Sequence, residues 1–337
     1  MAAFTAVDDS EAYFQTQLYT GNYDTNAITL DGDTDMQVDW VISKDRSDAS
    51  SLIVADAARG VNRTNYIDSD SAEQTDTDVV TAFNSDGFSL GSNGNANSDT
   101  KLFVAWCWKE TADAGFDIVG YTGTGSSRDI SHNLSAVPKT IFTKRTNDTQ
   151  NWFVYTSTGG SQKAIYLDTD GAEGTQAAAY DAAPTSSVIN YGSDNAVNGS
   201  SDTYVAYLWR SVQGFSKFGG YTGNGNADGA YVHLGFRASW ILIKQRDASR
   251  AWNMDDNRRV LFRAPSTGYG YNTGVDMRLY ANTAGDEENY ASLDILSNGF
   301  KIRTNNAYLN GSANTYVYMA FAEAPFVNSN GVPCNAR

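Results

Sequence analysis

Along the whole chain, short stretches of alternating apolar and polar residues are broken by turns rich in Gly, Asn, Asp and Ser. In Tyr13-Phe14-Gln15-Thr16-Gln17-Leu18-Tyr19 the alternation has the period of two expected of a strand. No stretch longer than about ten residues keeps the 3.6-residue period of a helix. Short helical turns are expected only within residues 174–180, where alanine is frequent. Aromatic and β-branched runs set between turn-forming loops predict an all-β protein.

The pattern repeats. Tyr19-Thr20-Gly21-Asn22, Tyr121-Thr122-Gly123-Thr124 and Tyr221-Thr222-Gly223-Asn224 are each followed by an apolar run that ends in lysine, at Lys44, Lys144 and Lys244. The lysines are 100 residues apart, twice, which predicts a tandem triplication. The units expected are residues 1–112, 113–213 and 214–326, followed by an extended tail at 327–337. Each, at about 100 residues, is expected to be an antiparallel β-sandwich of jelly-roll, lectin-like or immunoglobulin-like type. Strands shared between units are an open alternative. Within a unit, the Gly-Phe strand (Asp86-Gly87-Phe88, Asn298-Gly299-Phe300, with a less distinct counterpart at Ser187-Val188-Ile189) is expected to form a hairpin with the closing strand that begins at Leu102, Thr315 or Thr203.

Composition narrows the function classes. With 39 acidic and 24 basic residues the net charge is −15, which argues against a nucleic-acid partner. No apolar run reaches the ~18 residues of a membrane helix, so no membrane insertion is expected. The start, Met1-Ala2-Ala3-Phe4, has neither the basic region nor the apolar core of a signal peptide, so synthesis in a cytoplasm without this export route is expected. Cys107, in an apolar run, and Cys334, in the tail, are expected to be unpaired.

Candidate chemistry is sparse. No serine elbow, His-Glu-x-x-His, Cys-x-x-Cys or phosphate loop occurs, and the expectation is that the protein is not an enzyme and needs no cofactor. His132 and His233, at near-equivalent places, are expected to serve packing or turns. Paired carboxylates could hydrolyse a glycosidic bond, a minor reading in so acidic a chain. Asp31, Asp33 and Asp35 place oxygens on alternate residues, as in the first half of a calcium loop, but Met36 stands where that loop needs glycine. Trp152 and Trp252, each eight residues beyond the repeated lysine, are candidates to stack on a sugar ring, with core packing as the alternative. The three lysines are expected to lay their stems on a sheet and send their amines to water.

The phrases Phe83-Asn84-Ser85-Asp86-Gly87-Phe88-Ser89-Leu90-Gly91, Gly214-Phe215-Ser216-Lys217-Phe218-Gly219-Gly220-Tyr221-Thr222-Gly223 and Leu296-Ser297-Asn298-Gly299-Phe300-Lys301-Ile302-Arg303 are specific. With Tyr316-Val317-Tyr318-Met319-Ala320-Phe321, they resemble a family of marine tailed-phage proteins described as virion structural or tail-fibre-like. The resemblance spans nearly the whole chain. It implies a virion location after assembly in the host cytoplasm, other virion proteins as partners, and no catalytic residues. A tail-fibre or receptor-binding module is the expectation, assembled as a homotrimer and contacting a host surface glycan. A head fibre, spike or capsid decoration protein is the alternative, and a polysaccharide-degrading enzyme a third.

Overall fold

The structure is a computed structural model that describes residues 5–259, 277–290 and 292–334. The first residues of the lead-in, Met1 to Phe4, residues 260–276 and 291 of the expected third unit, and the last three tail residues lie outside them. The described chain is all-β, as the alternation predicts.

Three six-stranded sheets carry one strand order. The first runs Phe14–Thr20, Leu102–Trp108, Trp40–Asp45, Ile53–Asp56, Arg63–Tyr66 and Gln74–Thr75. The second runs Phe116–Thr122, Thr203–Trp209, Thr140–Arg145, Phe153–Thr156, Lys163–Tyr166 and Gly174–Thr175. The third runs Ser216–Thr222, Thr315–Pro325, Phe236–Gln245, Asn253–Asp256, Met277–Tyr280 and Glu288–Asn289. The pairings are antiparallel, and Phe14↔Trp108, Phe116↔Trp209 and Ser216↔Phe321 set the same register in each.

Each large sheet is covered on its outer face by a small one. Asn26–Ile28, Gly87–Leu90 and Val80–Asn84 cover the first; Arg128–Ser131 and Val188–Tyr191 cover the second; Tyr231–His233, Gly299–Ile302 and Leu293–Leu296 cover the third. The Gly-Phe strand therefore does not pair with the closing strand. Its turn is itself the hairpin, with Asn84↔Gly87 and Leu296↔Gly299 closing two-residue loops inside the small sheet. The segment that follows crosses to the large sheet through one helical turn, at Gly94–Asn97, Asn195–Asn198 or Ala307–Asn310. Asn93, Asp194 and Asn306 cap these turns. Residues 174–180, where helical turns were expected, hold the short strand Gly174–Thr175 and a turn; Ala179 is buried in the local core, and Ala177 and Ala178 are exposed.

The central strand Trp40–Asp45 is buried at every position because both faces of its sheet are covered. Val41 joins Ile53, Phe88 and Leu90 in a local core, whereas Trp40 and Ile42 enter a second core shared by all three large sheets. At the centre of the shared core the ring centroids of Trp40 and Trp209 lie 5.2 Å apart, those of Trp108 and Trp240 5.5 Å, and those of Phe14 and Phe321 5.2 Å. Each pair joins two sheets. Burying a large apolar side chain contributes roughly 1.5–3 kcal/mol, and an aromatic pair adds about 0.5–1.5 kcal/mol. The sheets are thus held by one aromatic centre.

Candidate functional site

The repeated phrases build two kinds of junction. The first anchors a loop. The hydroxyls of Tyr19, Tyr121 and Tyr221 donate to the carbonyls of Ala96, Val197 and Leu309, at 2.6, 2.6 and 2.7 Å. The next residue in each case, Asn97, Asn198 or Asn310, is fully buried. Its Oδ1 accepts the amide of Asn22, Thr124 or Asn224, at 3.0, 2.9 and 2.9 Å. Its Nδ2 donates to two carbonyls, for Asn198 those of Ser126 and Gly192 at 2.7 and 2.6 Å. The glycine of the phrase is required by contact: a Cβ on Gly21, Gly123 or Gly223 would stand 2.1–2.3 Å from a backbone oxygen. Sequence reading missed these asparagines, although each lies six residues before Phe103, Tyr204 or Tyr316.

The second junction joins neighbouring sheets and overturns the expectation for the lysines. Lys44, Lys144 and Lys244 have no exposed surface. The Lys144 ammonium donates to the carbonyl of Asp70, at 2.7 Å, and to that of Gln150. Lys244 donates to Asp170 and Gln245, at 3.2 and 2.8 Å. Lys44 donates to Asp45, Asp48 and Ala284, at 2.7, 3.3 and 3.2 Å. Asp70, Asp170 and Ala284 each belong to the neighbouring sheet's side of the junction, and each also accepts a backbone N–H, from Gln150, Arg250 and Ser50, at 2.8 Å. The strand-end cation reaches a carbonyl across the gap rather than water. Burial pushes the Lys144 and Lys244 amines down to about 8, and lowers that of Lys44.

These bonds run from the second sheet to the first, from the third to the second and from the first to the third, so the three sheets close into a ring. Arg246 pairs with Glu173 at 2.6 Å and Arg46 with Glu287 at 2.9 Å across two of the junctions. Two buried networks add to the ring. Arg59 bonds Asp56, Glu73 and the Tyr207 hydroxyl, and Tyr207 donates to Asp56 at 2.7 Å. Arg259 bonds Asp256 and Glu287, and the Trp106 indole donates to Asp256 at 3.0 Å. At the remaining junction Thr156 occupies the equivalent position, beside Phe142, Val154, Leu242 and Met319.

The tryptophans proposed to stack on sugar are part of this ring. Trp152 is 0% exposed and Trp252 3%, and their indoles donate to the carbonyls of Tyr66 and Tyr166 at 2.8 and 2.9 Å. Neither ring offers a face to a ligand. Each indole N–H satisfies a strand-end carbonyl of the neighbouring sheet, which is why the residue recurs. Asp31, Asp33 and Asp35 are exposed and do not converge. Asp31 pairs with Arg258 at 2.6 Å, and among the described residues no group of three or more His, Cys, Asp or Glu is arranged to hold a metal. His132 is buried, its Nδ1 accepting the Leu134 amide at 3.3 Å in a turn. His233 is exposed beside Tyr231. Both cysteines are free.

Among the described residues, two surface clefts stand out. One, of about 360 Å³, lies where the first and third sheets meet and is lined by Glu11, Gln15, Arg237, Ser239, Asn257 and Glu323 among others. Its charges are already engaged: Arg237 pairs with Glu323, and Arg258, at its edge, with Asp31. The other, of about 580 Å³, lies between the segment that enters the third sheet and the start of the tail. Lys217, Phe218, His233, Leu234 and Phe326 line it. The tail is not simply extended here, since Val327 bridges to Pro333 and the Phe326 amide donates to Gly235.

A comparison with curated proteins gives no match. A family model described as a domain of unknown function, DUF7483, matches residues 9–325, a span that takes in all three large sheets and their junctions. The chain belongs to the DUF7483 family.

Proposed function

We propose that the chain is a structural and adhesive module of a tailed-phage particle, a tail-fibre or receptor-binding component that contacts the host surface. The observation that carries the reading is the use made of buried polar groups. Lys44, Lys144, Lys244, Asn97, Asn198 and Asn310 all serve to tie sheet to sheet or loop to sheet. Such a body holds its shape while its outer loops remain free to vary and to make contacts. The resemblance of these phrases to marine phage virion proteins supports a location on the particle, with other virion proteins as partners. In the fibre reading, chains assemble as a homotrimer.

Capsid decoration is the second reading, favoured by one feature. Three sheets of the same strand order closed into a ring within one chain match a threefold or quasi-threefold position on a shell. The test is copy number per purified particle, read by quantitative mass spectrometry, together with the mass of the isolated chain in solution. A few copies per particle and a trimer in solution support the fibre. Hundreds of copies and a monomer support decoration, and absence from purified particles overturns both.

A further inference from the structure

The 580 Å³ cleft falls within the range of small-ligand sites, ~300–1,000 Å³. Its lining combines apolar and polar groups and, in a chain of net charge −15, contains no Asp or Glu among the described residues. Lys217 is its cation. The ammonium spends one N–H on the His233 carbonyl, at 2.7 Å, and has two left to donate. Phe326, in the lining, is 39% exposed, and Tyr231, outside the lining but with its hydroxyl 3.3 Å from the ring of His233, is 46% exposed and donates to Asn298 at 2.6 Å.

The aromatic platform is particular to the third sheet. The small sheet of the second places Asp129 and Ser131 on either side of its buried Ile130. The small sheet of the third places Tyr231 and His233 on either side of the buried Val232. The exposed side of the strand has thus exchanged a carboxylate for an aromatic ring. A sugar has an apolar C–H face that packs on such a ring and polar groups at its edge that need donors. At physiological salt the field of distant carboxylates is screened beyond about 8 Å, so the local ammonium decides the sign of the preferred ligand.

We propose that this cleft binds an acidic saccharide, its carboxylate on the Lys217 ammonium and its apolar face on Tyr231 and Phe326. The inference rests on the adhesive reading above and names the class of surface glycan it would take. The test is titration calorimetry of the full chain with trigalacturonic acid and with its methyl ester, which keeps the rings and removes the charge. The acid is expected to bind, and the ester about tenfold more weakly. Lys217→Gln should lower affinity for the acid to that for the ester, and Tyr231→Ala should weaken both. Tyr23→Ala, an exposed tyrosine in another loop, should change neither. Equal affinity for acid and ester, wild-type affinity in Lys217→Gln, or no binding of either sugar overturns the proposal. Adsorption to host cells separates the two readings. Adsorption that survives both substitutions overturns the cleft and leaves the adhesive role standing; saccharide binding without adsorption overturns the adhesive role and leaves the cleft.

Discussion

The Lys144 ammonium lies 2.7 Å from the carbonyl oxygen of Asp70, a residue contributed by the neighbouring sheet. A buried cation held by carbonyl oxygens is costly to desolvate and costly to remove, because its acceptors are then left partly unmet. Lys144→Ala should lower stability by about 2–4 kcal/mol, through a lost stem and lost bonds. Lys144→Met, which keeps the stem and removes the charge, should lose about half as much. Urea denaturation checks both, and a Met variant more stable than wild type would show that the ammonium is no net tie.

The same lysines predict an alkaline response. The Lys144 and Lys244 amines sit near 8 in the folded chain, against an ordinary value of 10.5. Between those values the unfolded chain holds more protons than the folded one, so this contribution to stability grows as pH rises from about 8 to 10.5. It is lost as pH falls through 8. The slope is at most about 1.4 kcal/mol per pH unit for each lysine. Denaturation midpoints at pH 7.5, 8.5 and 9.5 should rise from this source, and the rise should shrink in Lys144→Met.

Asp168 has the opposite sense. Burial pushes its carboxyl up to about 6, from an ordinary 3.8, although it accepts the Trp152 amide at 3.0 Å. The folded chain therefore holds the extra proton between those values. This contribution is complete below pH 3.8 and lost as pH rises through 6. Asp168→Asn should flatten the pH dependence of stability between pH 4 and 6. An unchanged profile would rule out Asp168 as its source.

Asn198→Ala removes four hydrogen bonds, one of them long at 3.5 Å, made by a fully buried side chain. A loss of about 2–4 kcal/mol is expected. Hydrogen exchange at the Thr124 amide, whose acceptor is the Asn198 side chain, should accelerate more than exchange in the strand Thr203–Trp209. Uniform acceleration would mean that the asparagine supports the whole body rather than its loop.

Trp152→Phe keeps an apolar ring and deletes the N–H that meets the Tyr66 carbonyl. About 1–2 kcal/mol should be lost, with binding of any saccharide unchanged. A variant that folds as well as wild type but binds sugar less would return this residue to the ligand.

Strand class and the repeat spacing were legible because alternation and turn chemistry are local. The fate of the repeated residues was not. Lys144 ends a strand, as its position suggested, yet whether its amine meets water or Asp70 depends on a sheet some 70 residues earlier in the chain. Trp152 posed the same choice between an exposed ring and a buried one, and a carbonyl on another sheet decided it. The hairpin falls elsewhere than expected because Ser85-Asp86 is the loop between Val80–Asn84 and Gly87–Leu90, not the start of a strand that pairs with the closing one. The cleft around Lys217 joins residues from positions 211 to 327, and no spacing within the chain marks them as neighbours.

The closure of the ring bears on how the chain is made. Trp108 emerges with the first sheet, but Trp240 and Phe321, which pack on it from the third, are translated much later. Until then a ribosome-bound chain carries an aromatic face that has no lasting cover, and a chain broken off after the second sheet keeps it. Synthesis must therefore run nearly to its end before the centre can dry, and truncated products should be the ones that chaperones retain.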